Sequence, residues 1–157
     1  MTGYIVTSRF AAGALLLCRA ETGSLFALMQ QRSAEEHEPF TWTIFGGMAG
    51  PGEWPIGCML REVREESGID VGSFPLAHIH RFDASHEEFS FHTYVVMLPE
   101  MRAPVLSNES VNARWVRLGA TAETLWDNMP VPLMKGMANI VGDPEVAARI
   151  IAFGSQI

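Results

Sequence analysis

The stretch GMAGPGEWPIGCMLREVREESGI, residues 47–69, governs both the fold and the chemistry of this 157-residue chain. Gly50, Pro51 and Gly52 forbid regular structure, so a tight backbone loop is expected from Met48 to Gly52, after Gly46 and Gly47. Pro55 suits the first position of a helix and Gly68 its stop, which predicts a helix between them. On a helical wheel Ile56, Met59, Leu60 and Val63 form a core-facing stripe. Glu62, Glu65 and Glu66 stand at i, i+3 and i+4, so three carboxylates share another face, roughly 100° from that stripe.

Like charges at these spacings repel by roughly 0.2–0.5 kcal/mol per pair, so a compensating cation is expected. Arg61 and Arg64 offer partial pairing, as on an ordinary solvated helix face. The glycine loop alongside favours a metal. Grouped carboxylates are hard oxygen ligands of the kind Mg²⁺ and Mn²⁺ prefer, and a backbone carbonyl of Gly46 or Gly47 could approach an ion closely. A divalent cation there would neutralise phosphate oxygens and lower the pKa of a bound water, while a carboxylate left over from ligation takes the proton. No covalent nucleophile is needed.

Outward from this stretch, Thr41 to Phe45 is a short β-prone run, preceded by a polar, acidic loop from Ser33 to Pro39. Ile5 to Cys18 and Leu25 to Gln31 read as a hairpin around the turn residues Glu21 to Ser24. Phe74 to Asp83, Phe89 to Leu98 and Ala113 to Leu118 read as further strands, and Asp143-Pro144 opens a last helix ending near Phe153. Strands on both sides of a central helix, with more helix at the end, predict an α/β fold with a mixed sheet covered on both faces. Residues 1–157 are expected to form a single domain, since neither a repeat nor a linker interrupts them.

Composition narrows the function. A hydrophobic fraction of 48% and a charged fraction of 18% describe a globular chain. The net charge of −7 and the lack of a Lys/Arg run argue against a duplex nucleic-acid partner. The longest apolar run, Phe10 to Cys18, is too short to cross a bilayer, and no signal peptide is evident, so no membrane partner and a cytoplasmic location are expected. Cys18 and Cys58 read as reduced packing thiols.

The residues quoted above fill every defined position of a known pattern, G-x5-E-x7-R-E-U-x-E-E-x-G-U with U bulky and aliphatic: Gly47, Glu53, Arg61, Glu62, Val63, Glu65, Glu66, Gly68 and Ile69. A chance match has a probability on the order of 10⁻⁷ at ordinary residue frequencies. The chain thus resembles the Nudix hydrolases. That resemblance implies an α/β/α sandwich and metal-dependent hydrolysis of a phosphoanhydride in a nucleoside diphosphate linked to a group X. It implies Mg²⁺ as cofactor, with Mn²⁺ as a substitute, and a small nucleotide as partner; a homodimer, common in similar proteins, stays open. A catalytically silent nucleotide-binding module on the same fold is the alternative.

Position by position, the resemblance makes Glu62 a metal ligand or general base, Glu65 and Glu66 metal ligands, and the carbonyl of Gly46 a further ligand. It makes Glu53 and Arg61 an ion pair bracing loop against helix, with Gly47 and Gly68 as structural support. Glu109, in Asn108-Glu109 ahead of Trp115, resembles a later-loop catalytic acid, with Glu87 and Glu88 as competitors read as solvated turn charge. Gly50, Phe45 and Trp54 depart from the residues that relatives often carry, which weakens transfer of substrate specificity. The catalytic set is therefore Glu62, Glu65 and Glu109. Nucleotide sugars, ADP-ribose, dinucleoside polyphosphates, (d)NTPs and 5'-triphosphorylated RNA all remain open as substrates, and the substrate-binding residues are unknown.

Two other signals are set aside. His78 and His80 alternate along a strand and so should share a face, but lack a third soft ligand for zinc. The strand aromatics Phe10, Trp42, Phe82 and Phe91 read first as core, with base stacking as the second reading and Trp42 ahead of the others.

Overall fold

The computed structural model describes residues 9–85 and 88–157. Seven strands form one sheet: β1 (Arg9–Arg19), β2 (Leu25–Arg32), β3 (Trp42–Thr43), β4 (Phe45–Met48), β5 (Leu76–Asp83), β6 (Phe89–Leu98) and β7 (Ser110–Arg117). Among the described residues three helices accompany it: α1 (Pro55–Ser67), α2 (Lys135–Val141) and α3 (Pro144–Ser155). The main path runs β3-β2-β1-β6-β5, with β4 added on β1 and β7 on β2. β1 pairs parallel with β6 and antiparallel with β2 and β4, so the sheet is mixed.

β1 sits in the middle of this path and is buried on both faces, which is why it reads as an almost unbroken apolar run. Its alternate side chains divide the core in two. Leu15 and Leu17, with Ala27 and Met29 of β2, pack towards α2 and α3; Leu16, with Leu28, Phe45, Met59 and Val63, packs under α1. The sandwich expected from the family resemblance is thus formed by two apolar layers on opposite faces of one sheet. Among the described residues no helix is long and apolar enough to cross a membrane.

Several expectations are corrected. Met48, expected in the loop, lies in a strand with Gly46 and Gly47: β4 pairs with β1 in the register Ala11↔Met48, Ala12↔Gly47 and Gly13↔Gly46. Two glycines face each other there because a Cβ on Gly13 would lie 2.4 Å from the Phe45 carbonyl, so only glycine lets the backbones come this close. The run Thr41 to Phe45 is split between β3, on β2, and β4, on β1, with Ile44 turning between the two partners. The seven-residue α2 was not foreseen, as Pro130 and Pro132 obscured its start. Residues 5–8 of the expected first strand lie outside the described residues.

Helix α1 begins after Trp54, whose side chain makes no cap, and ends at Gly68, held left-handed at φ 73°. Its core face is rotated from the expected stripe. Cys58, Met59, Val63, Glu66 and Ser67 are buried, whereas Ile56 is 43% exposed. The helix leans on β1 and β4 from Cys58 onwards, leaving Ile56 of its first turn exposed.

A carboxylate helix over a glycine strand

Glu66 is the buried member of the acidic group, 6% exposed. Its Oε2 accepts the Gly46 backbone N–H at 3.0 Å and the Gln30 amide at 3.2 Å. Burial, together with the nearby charges of Glu109 and Glu62, outweighs these bonds and pushes its pKa up to about 8. Three carboxylates on one open face were expected; instead the core takes Glu66 inward while Glu65 stays 56% exposed at its side chain. Glu62 lies between them, its carboxylate resting over Gly47, where a Cβ would meet Glu62 Oε2 at 2.5 Å.

One guanidinium organises the outer carboxylates. Arg61 donates to both oxygens of Glu53 at 2.8 Å, to Glu62 at 2.8 Å, to Glu65 at 3.0 Å and to the Met48 carbonyl at 3.0 Å. The bidentate Glu53–Arg61 pair ties the Gly50-Pro51-Gly52 loop to the helix. Glu53 also accepts the Gly50 N–H at 2.6 Å. The Arg61 bond first and this backbone bond second hold its carboxyl down at about 2. Arg64 is exposed and, among the described residues, takes no carboxylate.

Glu109 lies just ahead of β7, and its charge is felt at Glu66 while Glu62 is felt at Glu109, so the fold brings it to the same acidic group. Burial first, then a side-chain bond to Glu36, raises its pKa. Glu36, in the loop after β2, was missed; a cluster of polar residues in a loop gives no signal of which one will face the site. Glu88 is exposed in the β5–β6 turn and Glu87 lies outside the described residues.

On the other side of β4 lies a cleft of about 350 Å³, walled by Ile44, Phe82, Phe91, Met134, Met137 and Ile140 among others. Gly46, Gly47 and Gln30 line it too, so the residues that hold the carboxylates are also part of its wall. Besides Gln30, polar groups are few there: Arg32, Thr43, His80, Thr93 and Asn139. The aromatic ordering changes accordingly. Trp42 is core, with the Arg114 guanidinium 5.1 Å over its ring, whereas Phe82 is 41% exposed and faces the cleft with Phe91.

His78 and His80 do not share a face. A register shift between them places His78 opposite Tyr94, with its Nε2 3.0 Å from His92 Nδ1, and sends His80 to the cleft and to within 3.6 Å of Asp143. Both cysteines are free and buried, and burial raises the Cys58 thiol to about 11. Among the described residues no three His, Cys, Asp or Glu side chains are gathered as a ready metal cage, because Arg61 draws Glu62 and Glu65 to itself and the core holds Glu66.

An α/β/α domain with a carboxylate helix laid over a glycine strand is what the fold and site define. The chain belongs to the Nudix family, whose NUDIX domain matches residues 7–135. It is 28% identical over 134 residues to a Mycobacterium tuberculosis protein given the provisional name 8-oxo-dGTP diphosphatase 3, the match taking in 82% of this chain and 58% of that protein. The chain therefore spans less than three fifths of that relative's length. Among solved structures, a MutT/nudix family protein from Enterococcus faecalis superposes with TM-score 0.72 at 16% identity, over 97% of this chain and 65% of that one. A C. elegans Ap4A hydrolase gives 0.68 at 21%, over 95% and 99%. The NUDIX domain of Shewanella oneidensis NrtR, complexed with ADP ribose, gives 0.66 at 14%, over 90% and 87%. These likenesses show the fold.

Proposed function

We propose that the chain is a divalent-metal-dependent pyrophosphohydrolase that cleaves a phosphoanhydride in a nucleoside diphosphate linked to a group X, by attack of water on phosphorus. The observation that carries this is the shared wall: Glu62 and Glu66 rest against Gly47 and Gly46, and the same two glycines line the apolar cleft. A ligand whose organic part fills that cleft brings its phosphates to the carboxylates. The names of the relatives, which speak of oxidised dGTP, Ap4A and ADP ribose, support a nucleotide as the organic part.

The donor set fits a hard cation. Glu62, Glu66 and Glu109 lie within one another's electrostatic reach, with Arg61 bonded to Glu62 and the charge of Arg32 felt at Glu109. Glu62, Glu65, Glu66 and the Gly46 carbonyl would hold Mg²⁺, with Mn²⁺ as a substitute. Such an ion supplies neutralisation of the phosphate oxygens and a water of lowered pKa. Glu62 and Glu65 complete the acidic edge, and Glu109, its proton affinity raised by burial and by Glu36, takes the proton of the attacking water. Arg32, lining the cleft, offers its charge to a phosphate oxygen. The apolar wall keeps bulk water from the rest of the ligand.

The test is a panel of ADP-ribose, nucleotide sugars, Ap4A and ordinary and oxidised dNTPs with Mg²⁺ or Mn²⁺, reading out monophosphate, pyrophosphate and inorganic phosphate. Glu65→Gln and Glu66→Gln should each lower turnover by several orders of magnitude with the fold retained. Tight nucleotide binding with no released product across the panel would instead identify a silent binding module.

A further inference from the structure

Gln30 is 3% exposed, and both ends of its amide are engaged. Nε2 donates to the Ile44 carbonyl at 2.9 Å and to Glu66 Oε2 at 3.2 Å, while Oε1 accepts from the Ser110 hydroxyl. The Ile44 carbonyl only accepts and the Ser110 hydroxyl has a hydrogen to give, so the two fix which way the amide points. Its second N–H is thereby committed to Glu66.

The consequence falls on Glu66. Oε2 receives two donors, the Gly46 N–H and Gln30, which occupy its two lone pairs. Oε1 receives none. The sealed, unpartnered side-chain oxygens and nitrogens of the described residues are Ser33 Oγ, Thr93 Oγ1 and Trp126 Nε1, so the unpaired Glu66 Oε1 is open to its surroundings. Gln30 also lines the cleft, and Ser110 follows Glu109 directly. The chain Ser110–Gln30–Glu66 therefore links the strand behind the later-loop acid to the buried carboxylate of α1.

We infer that Gln30 is a positioning residue that presents Glu66 to the metal through Oε1 alone, and that Ser110 locks Gln30 in the orientation this requires. The inference rests on the reading of Glu66 as a ligand, and adds to it a residue outside the box. A partner that orients a ligating side chain typically governs metal affinity by roughly 10- to 100-fold. Without the Gln30 donor, Glu66 is free to turn either oxygen to the ion or to accept a second backbone donor.

The experiment measures Mn²⁺ binding by EPR titration beside turnover and thermal melting. Gln30→Met keeps the length and bulk of the side chain and removes its hydrogen bonds; it should weaken Mn²⁺ binding roughly 10- to 100-fold, and raised Mn²⁺ should restore most of the lost kcat. Ser110→Ala should weaken binding several-fold, and Ser110→Thr, which keeps the hydroxyl, should recover it. A merely structural role would lower Tm without changing the Mn²⁺ dependence, so melting loss with unchanged Mn²⁺ affinity in both variants overturns the inference. If Gln30→Met does not fold, Ser110→Ala decides alone. A wild-type protein that holds no Mn²⁺ overturns the reading of the site, and the role of Gln30 with it; a wild-type protein that binds and turns over, while every folded variant of the two binds Mn²⁺ as it does, overturns only the latter.

Discussion

Adding one methyl group at Gly47 displaces the carboxylate of Glu62 and little else. An alanine Cβ there would lie 2.5 Å from Glu62 Oε2 and 2.6 Å from its Cδ, whereas ordinary contact begins at 3.4 Å. The carboxylate must retreat by about 0.9 Å, the difference between the first and last of these distances. It is the far end of a flexible side chain, bonded to another side chain, Arg61, so the backbone need not follow, and Gly47 has no positive φ that alanine would resist. A misplacement of about 1 Å at a reacting centre costs on the order of 100-fold in rate, about 2.7 kcal/mol of transition-state stabilisation. Gly47→Ala should therefore lose about that much kcat/KM while keeping a near-wild-type melting temperature. Gly46→Ala supplies the contrast. Its Cβ would meet Gly13 Cα at 2.6 Å and the Ala12 carbonyl at 2.7 Å, which are rigid backbone, so the β1–β4 pairing itself is strained by about 1–3 kcal/mol. Product release on the preferred nucleotide and a thermal melt of each variant decide the matter. Gly47→Ala with wild-type turnover, or with a melting loss equal to that of Gly46→Ala, would refute the placement of Glu62 as a working carboxylate over the glycine strand.

Gly68→Ala should cost about 1–2 kcal/mol, because its φ of 73° disfavours a side chain and the new Cβ would press on Val105 at 3.1 Å; chemical denaturation with an unchanged m-value measures it. Phe82→Ser should raise KM for a nucleotide substrate by several-fold with little change in kcat, since Phe82 faces the cleft and not the carboxylates; a kcat loss larger than the KM change would move Phe82 into the chemistry. The His78–His92 pair gives a pH signature. Burial first, then His80, Arg149 and Arg81, lowers the pKa of His78, and burial first, then His78 and Arg81 against the opposing pull of Asp83, lowers that of His92. Folded histidines with depressed pKa bind fewer protons than unfolded ones, so their contribution is complete above the ordinary value of 6.5 and is lost as pH falls below it. Melting temperatures at pH 7.5 and 5.5, on the order of one unit either side of the ordinary imidazole pKa, should converge more in His92→Gln than in the wild type; identical slopes would assign the acid sensitivity elsewhere.

Much of the fold was legible because its signals are local. Pro55 and Gly68 bound α1 through backbone constraints that act within a turn, and the apolar runs of β1 and β6 betray strands buried on both faces. The ion pair of Glu53 with Arg61 was legible from a pattern repeated across a family, and the structure places the two groups 2.8 Å apart. What escaped depends on contacts far apart in the chain. From composition Gly46 and Gly47 only end a β-prone run, yet β1 recruits them into the sheet through Gly13, 33 residues away from Gly46 in the register. The extra residue at the β5 bulge turns His80 from the face of His78 to the cleft, and no alternation count reveals such a shift. Gln30 gave a faint signal, a polar residue closing an apolar strand, but not the identity of its partners.

By itself the sequence determined which side chains could do chemistry: the spacing of Glu62, Glu65 and Glu66 along one helix, and the glycines beside them, follow from covalent order and helical geometry. Only the tertiary structure decided how unequal those carboxylates are. Glu66 is buried and held by the Gly46 amide and Gln30, Glu65 is left in solvent with Arg61, and Glu62 is set over Gly47. The reason is that burial and hydrogen bonding are set by the neighbours a residue meets across the sheet. Helical spacing decides which residues share a face, but the packing of β1, β2 and β4 beneath α1 decides which of them reaches the core.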